Sequence, residues 1–208
     1  IARQLNNAEQ MGGALISLAK VALQEKRFED ATEYGRRALD LFHQTRHEAH
    51  IANALAILGS AAQQRGQRDE AHRFFSESVE MQRQAGNQLY LVSRLLEWGQ
   101  AALVLADLAE AETILVEALR EAYLSHMTPF ALNALAYLAH LLQQREQYTA
   151  AVRRAAFVVS HEAAMPEAMK AAEAVLQASA PHLPVHQWQQ AQTNGRTADF
   201  TDFLPQLF

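Results

Sequence analysis

The side chains of this sequence best placed to do chemistry are three histidines. His43, His47 and His50 follow one another at spacings of four and three, which would set their imidazoles on one helical face, as the ligands of a metal ion are set. They fall where one sequence segment hands over to the next, and a helix broken between them would leave solvated hinge residues. The expectation is no bound metal, with this cluster as the one candidate. His182 and His186 have a similar spacing, but Pro184 interrupts them. Glu110, Glu112, Glu117 and Glu121 are spaced as on an exposed helix face and are expected to be solvated, whereas a general acid–base pair needs burial to move its pKa. Phosphate-binding G-x-x-x-x-G-K-S/T, zinc-protease H-E-x-x-H and nucleophile-elbow G-x-S-x-G patterns do not occur, and Met11-Gly12-Gly13 reads as the start of a helix. With no cysteine there is no thiolate or disulfide. The sequence therefore predicts no catalytic residue, no cofactor and no enzyme.

Composition narrows the classes further. Half of the 208 residues are hydrophobic and 20% are charged, enough to bury a core and too apolar for a disordered chain. Eight glycines and five prolines leave little for tight turns, and the abundant Ala, Leu, Gln and Glu are strong helix formers. The net charge of -5 is uneven: residues 1–104 carry 12 basic and 12 acidic side chains, and the rest carry 6 and 11. That balance lacks the basic stripe that nucleic acid requires. Apolar stretches are broken by charges well short of the roughly 20 residues that span a bilayer, and no signal-peptide pattern opens the chain. A cytoplasmic protein without direct nucleic-acid or membrane contact is expected. The first residue is Ile, not Met, which reads as a piece of something longer.

What must position these side chains is a repeat of 40 residues. Leu15, Leu55, Leu95 and Leu135 coincide at that offset, followed by Leu18, Leu58, Trp98 and Leu138 and by the small residues Ala19, Gly59, Gly99 and Ala139. Downstream, Ala31, Ala71, Ala111 and Ala151 align, as do Ala38, Ser78, Ala118 and Val158, each trailed by Leu or Val. Leu15, Leu18, Ala19 and Ala22 form the i, i+3, i+4, i+7 stripe of a helix, and a second stripe runs through Phe28, Ala31, Ala38 and Leu39. Each unit is thus a helical hairpin, with small residues at the Ala19 and Ala31 positions letting its helices approach closely.

The spacing predicts helices over about 9–25, 28–43, 47–64, 68–85, 87–105, 108–124, 128–145 and 148–162, with Thr128 as an N-cap before Pro129. The repeats are about 9–45, 46–86, 87–126 and 127–165, and an extra helix over 166–179, opened by Pro166, covers the last. Residues 1–179 then form an all-α, right-handed superhelical α-solenoid. Residues 180–208 form its capping segment, with a short helix over 186–193 stopped by Asn194-Gly195 and a closing run of Phe200, Phe203, Leu204, Leu207 and Phe208.

The placement of Leu18-Ala19, Phe28, Ala31 and Ala38-Leu39, and of their mates Leu58-Gly59, Ala71, Ser78-Val79, Trp98-Gly99, Leu108, Ala111 and Ala118-Leu119, resembles the tetratricopeptide repeat. The likeness covers about residues 9–162. It departs in its 40-residue length, in lacking the proline that ends the second helix, in Arg68 where an aromatic is usual, and in Gly35 where Phe75 stands in the second repeat. Forty-residue units resemble the C-terminal arm of large bacterial signal-transduction ATPases and LuxR- or antibiotic-regulator-type (SARP) transcription activators. The tail, with Trp188, Ala191, Gly195-Arg196 and Phe203-Leu204, is similar to the ending of those proteins. That resemblance implies an arm that receives an inducer or protein partner, or other domains of the same polypeptide, and helps hold an ATPase off. The alternative is a stand-alone adaptor or signalling-peptide receptor.

In such a solenoid the first helices line the inner wall, and their non-core positions form the expected peptide groove. These are Lys20 and Gln24; Asn53, Ser60, Gln63 and Gln64; Ser93, Glu97 and Gln100; and Asn133, Tyr137, His140, Gln143 and Gln144. Amides and hydroxyls that hydrogen-bond an extended backbone dominate this set, although helix surfaces are polar by default. Lys20 stands almost alone as a cation, which disfavours a clamp for a terminal carboxylate.

Overall fold

The computed structural model describes residues 2–204, and all eight repeat helices predicted from the register are present. The helices are α1 Ala2–Gln24, α2 Phe28–Thr45, α3 Glu48–Gln64, α4 Arg68–Gln84, α5 Gln88–Val104, α6 Leu108–Leu124, α7 Thr128–Gln144, α8 Tyr148–Ser160, α9 Pro166–Ser179 and α10 Val185–Arg196. No strand occurs among the described residues. Consecutive helices from α1 to α5 pack on one another, as do those from α6 to α9, and α10 packs on α8. They fall into two compact units, residues 1–105 and 106–208.

The turns repeat at half the sequence period. Lys26, Arg46, Gly66, Gly86, Ala106, His126 and Glu146 all have positive φ, between 55° and 71°, and stand 20 residues apart. In six of these turns the next residue's N–H reaches back to a carbonyl five residues earlier, as Gln67 does to Ala62 at 2.9 Å and Gln147 to Leu142 at 2.9 Å. That bond satisfies the orphan carbonyls of the helix end. Only two of the seven residues are glycine, so the other five carry the left-handed penalty of a side chain. Glu146→Gly should therefore stabilise the 106–208 unit, by about 0.5–1 kcal/mol once the added freedom of the unfolded chain is offset. The midpoint of a urea melt checks it.

Packing depends on pairing a vacancy with a bulky partner. A Cβ at Gly12 would lie 2.5 Å from Cε1 of Phe42, one at Gly59 would lie 2.9 Å from the Phe75 ring, and one at Gly35 would lie 2.9 Å from Leu58. Gly35 departs from the repeat pattern because Leu58 of the next hairpin takes its space. Around these contacts Leu15, Ile16, Ala19, Ala38, Phe42, Ile51, Ala54, Leu55 and Ile57 form one core cluster. In the second unit Leu115, Leu119, Leu132, Leu135 and Leu141 are fully buried, with Ala118, Ala122, Ala134, Ala139, Ala151 and Ala155 at the close helix crossings.

Several local expectations need correcting. α1 begins at Ala2, not near residue 9, and Gly12-Gly13 lies inside it, because Gly12 is a packing contact and not a breaker. Leu18 is 48% exposed although Leu58, Trp98 and Leu138 are buried. The second-repeat helix α3 packs on the preceding α2, and the described residues include no such helix ahead of α1. The cap of α7 is Met127, without a side-chain bond, and Thr128 is already helical. Arg68, at the aromatic position, donates from Nη2 to the Leu105 carbonyl at 2.7 Å and so serves the end of α5.

Pro166 opens α9 as the spacing predicts, but Asn194-Gly195 does not stop the following helix. α10 packs on α8 at Gly195, where a Cβ would overlap the Arg153 carbonyl oxygen, so this glycine serves close approach. Beyond it, Asp199 and Asp202 form a capping box on a 3₁₀ turn, Phe200–Phe203. Phe203 lies 4.8 Å from Phe157 and receives the Arg153 guanidinium over its ring at 5.1 Å. Leu207 and Phe208 lie outside the described residues.

Candidate functional site

In residues 1–105, Ser60, Gln63 and Gln64 on α3 and Glu97 and Gln100 on α5 line a cavity of about 250 Å³. Spacings of three and four put each set on one edge of its helix, so two edges oppose. The Ser60 hydroxyl donates to the Ala56 carbonyl at 3.0 Å, which leaves its oxygen free to accept. Gln64 donates to Gln63 Oε1 at 3.3 Å, an easily exchanged contact between exposed amides. Glu97 pairs with Arg94 at 2.7 Å. Burial pushes the Glu97 carboxyl above the usual carboxylate range, while Arg94 and then Lys20 pull it back. A donor or cation entering the cavity would further favour the charged form. Of the other predicted residues in this unit, Lys20, Gln24, Asn53 and Ser93 do not line the cavity, and Ser93 donates to its own helix at Leu89.

The cavity also contains residues that sequence reasoning missed: Leu23, Phe75, Ala101 and Val104. Val104 had a signal, because it stands where the other repeats carry Gln24, Gln64 and Gln144. Arg94, the partner of Glu97, likewise replaces Ala14, Ala54 and Ala134. The result is a mixed lining, with amides and one carboxylate beside an aromatic floor.

In residues 106–208, Asn133, Tyr137, His140 and Gln144 form a half-buried row along α7, with Gln143 beside it. Asn133 Oδ1 is buried without a hydrogen-bond partner, and His140 Nε2 lies 3.1 Å from Gln144 Nε2. None of these residues lines the unit's small cavity of about 90 Å³, which Tyr123, His126, Thr128, Ala131 and Phe200 form. Burial lowers the pKa of His140. A base whose pKa is lower in the folded state binds protons more readily when unfolded, so its contribution is lost as pH falls below the unfolded value of about 6.5. Thermal melts of wild type between pH 7.5 and 5.5 should show a loss of stability that His140→Gln reduces; identical slopes would remove the effect. His50, lowered by burial and by His47, adds a similar loss in the first unit and remains in that variant.

The histidine cluster is rearranged. His43 is exposed on α2, because the left-handed turn at Arg46 separates it from His47 and His50. Glu9 of α1 takes its place: Oε1 is 3.5 Å from His47 Nε2 and 3.6 Å from His50 Nδ1. The acidic row also differs from expectation, since Glu110, Glu112, Glu117 and Glu121 are all half-buried. Glu112 pairs with Arg145 at 2.8 Å, and Arg145 also donates to the Leu108 carbonyl at 3.2 Å.

Residues 10–84 match the tetratricopeptide repeat family. No curated protein matches the chain. Repeats of this kind are protein-interaction scaffolds and are generally non-catalytic. No helix among the described residues is long and apolar enough to cross a membrane.

Proposed function

With tetratricopeptide repeats in residues 10–84 as the premise, we propose that the chain is the regulatory arm of a multidomain bacterial signal-transduction ATPase or transcription regulator, acting in the cytoplasm. The observation that carries its binding role is the cavity lined by Ser60, Gln63, Gln64, Glu97 and Gln100 over Phe75. Amides there supply donors and acceptors for an extended backbone, Glu97 takes a cation or donor, and the exposed Val104 takes an apolar side chain. The long repeat and the Trp188, Gly195-Arg196 and Phe203-Leu204 ending support the larger setting. A partner that binds the active and inactive states unequally would shift the whole protein between them.

The test has two arms. The reading frame containing this segment should encode an ATPase module and an output domain; a frame holding only repeats would sink the regulatory setting. A partner co-purified with the chain and identified should bind at least tenfold more weakly to Gln63→Ala/Gln100→Ala, with helicity unchanged by circular dichroism. Undiminished affinity would refute the groove. A stand-alone adaptor or signalling-peptide receptor is the second reading. It is favoured by a cavity built wholly from residues 23–104, which needs no other domain to bind.

A further inference from the structure

Glu9, His47 and His50 present three ligand-type atoms within 4.8 Å of one another. We propose that they form a binding site for a divalent transition-metal ion of zinc type, held by two imidazole nitrogens and one carboxylate oxygen.

The distances carry the first part of the argument. Ligand arms of about 2.0–2.1 Å at tetrahedral angles set neighbouring donor atoms roughly 3.3 Å apart. Glu9 Oε1 stands 3.5 Å from His47 Nε2 and 3.6 Å from His50 Nδ1, so two edges of the tetrahedron are nearly formed. The third edge needs only side-chain rotation of imidazoles that are not locked in the core. His50 Nδ1 is buried and has no hydrogen-bond partner, a cost that a metal bond would remove. The two rings stack at 3.9 Å and 12°, and because each nitrogen lone pair lies in its ring plane, one ring must turn out of this stack for both to reach a single ion. Neutral imidazole is the ligating form.

The repeat supplies an independent argument. The mates of His47 are Asn87 and Met127, those of His50 are Tyr90 and Phe130, and those of Glu9 are Ala49, Leu89 and Pro129. The fold therefore does not need ligand-type residues at these positions. At the same turn Asn87 caps α5 by accepting from Tyr90 N, whereas His47 makes no cap bond to α3. Gln67 and Met127 likewise leave their helices without a side-chain cap, and the His47 side chain lies toward Glu9 at 3.5 Å. Phe42 packs 4.8 Å from the His50 ring and forms a dry wall behind it. With three protein ligands the fourth position would be open to water or to a partner's side chain. An ion here ties α1 to the start of α3 across the first hairpin, so it would stabilise the first unit by binding only its folded form.

Untagged full chain, stripped with chelator and dialysed, is titrated with zinc chloride by calorimetry and melted with and without one equivalent of zinc. The expected result is one saturable site per chain and a melting temperature higher by several degrees. Glu9→Gln, His47→Ala and His50→Ala should each weaken binding at least tenfold, and His43→Ala should leave it unchanged. Cobalt substituted for zinc should give the intense visible bands of a four-coordinate ion, which are lost in His47→Ala. Absence of stoichiometric binding overturns the site, as does binding that survives all three substitutions or depends equally on His43.

Discussion

Phe75→Ala should cost the first unit about 3–5 kcal/mol, the range for removing a fully buried aromatic ring. Phe75 is 1% exposed, and its ring rests on the bare backbone of Gly59. The vacancy is directional, which makes a sharper test possible. Gly59→Ala alone should destabilise, because its Cβ would meet ring carbons at 2.9 Å in a core that cannot yield. In the Phe75→Ala background the same methyl has room, and helix propensity favours Ala over Gly by about 1 kcal/mol. The double variant should therefore be more stable than Phe75→Ala, with a coupling energy of about 1–3 kcal/mol in a double-mutant cycle. Additive effects measured by denaturant melts would show that ring and glycine do not share one space. Since Phe75 also floors the cavity, partner binding should fall in Phe75→Ala even under conditions where the unit stays folded.

Gly195→Ala should cost about 3 kcal/mol, the upper part of the range for overpacking, because the obstacle is backbone. The added Cβ would overlap the Arg153 carbonyl oxygen and lie 2.9 Å from Ala156 Cβ, and neither atom belongs to a side chain that can swing away. α10 must then slide along α8 or leave it. Sliding would disturb the Arg153 contact with Phe203 and the 3.3 Å pair with Asp202, because Arg153 sits at the crossing. Limited proteolysis should cut Gly195→Ala between residues 180 and 204 well before wild type. Equal resistance, together with an unchanged melting temperature, would show that the crossing has slack.

The hairpins were legible because each rests on a local pattern repeated several times. Residues 166–179 were bounded correctly from proline and periodicity alone. The start of α1 was not, since the counterparts of the residues ahead of 9 fall at the turns of Arg46, Gly86 and His126, and two adjacent glycines imitate a break. Asn194-Gly195 misled for a related reason: sequence cannot distinguish a glycine that ends a helix from one that lets another backbone pass. The polar faces of α3, α5 and α7 were legible because polarity follows periodicity. Their partners were not, because the pairing of Glu97 with Arg94, or of Glu9 with His47 and His50, depends on which rotamers and helices meet.

The left-handed residues at intervals of 20 also bear on how such a chain can change length over generations. Unequal recombination that removes or adds one 40-residue unit rejoins one turn to an equivalent turn, so the alternation of first and second helices continues without interruption. Joining Arg46 to Asn87, for example, would keep a left-handed residue before a helix start. An exchange of half that length would also preserve every turn, yet it would put a second-helix sequence where a first helix belongs and bring charged side chains into apolar contacts. The backbone therefore tolerates steps that the side chains forbid, and lineages of this chain should differ by whole hairpins.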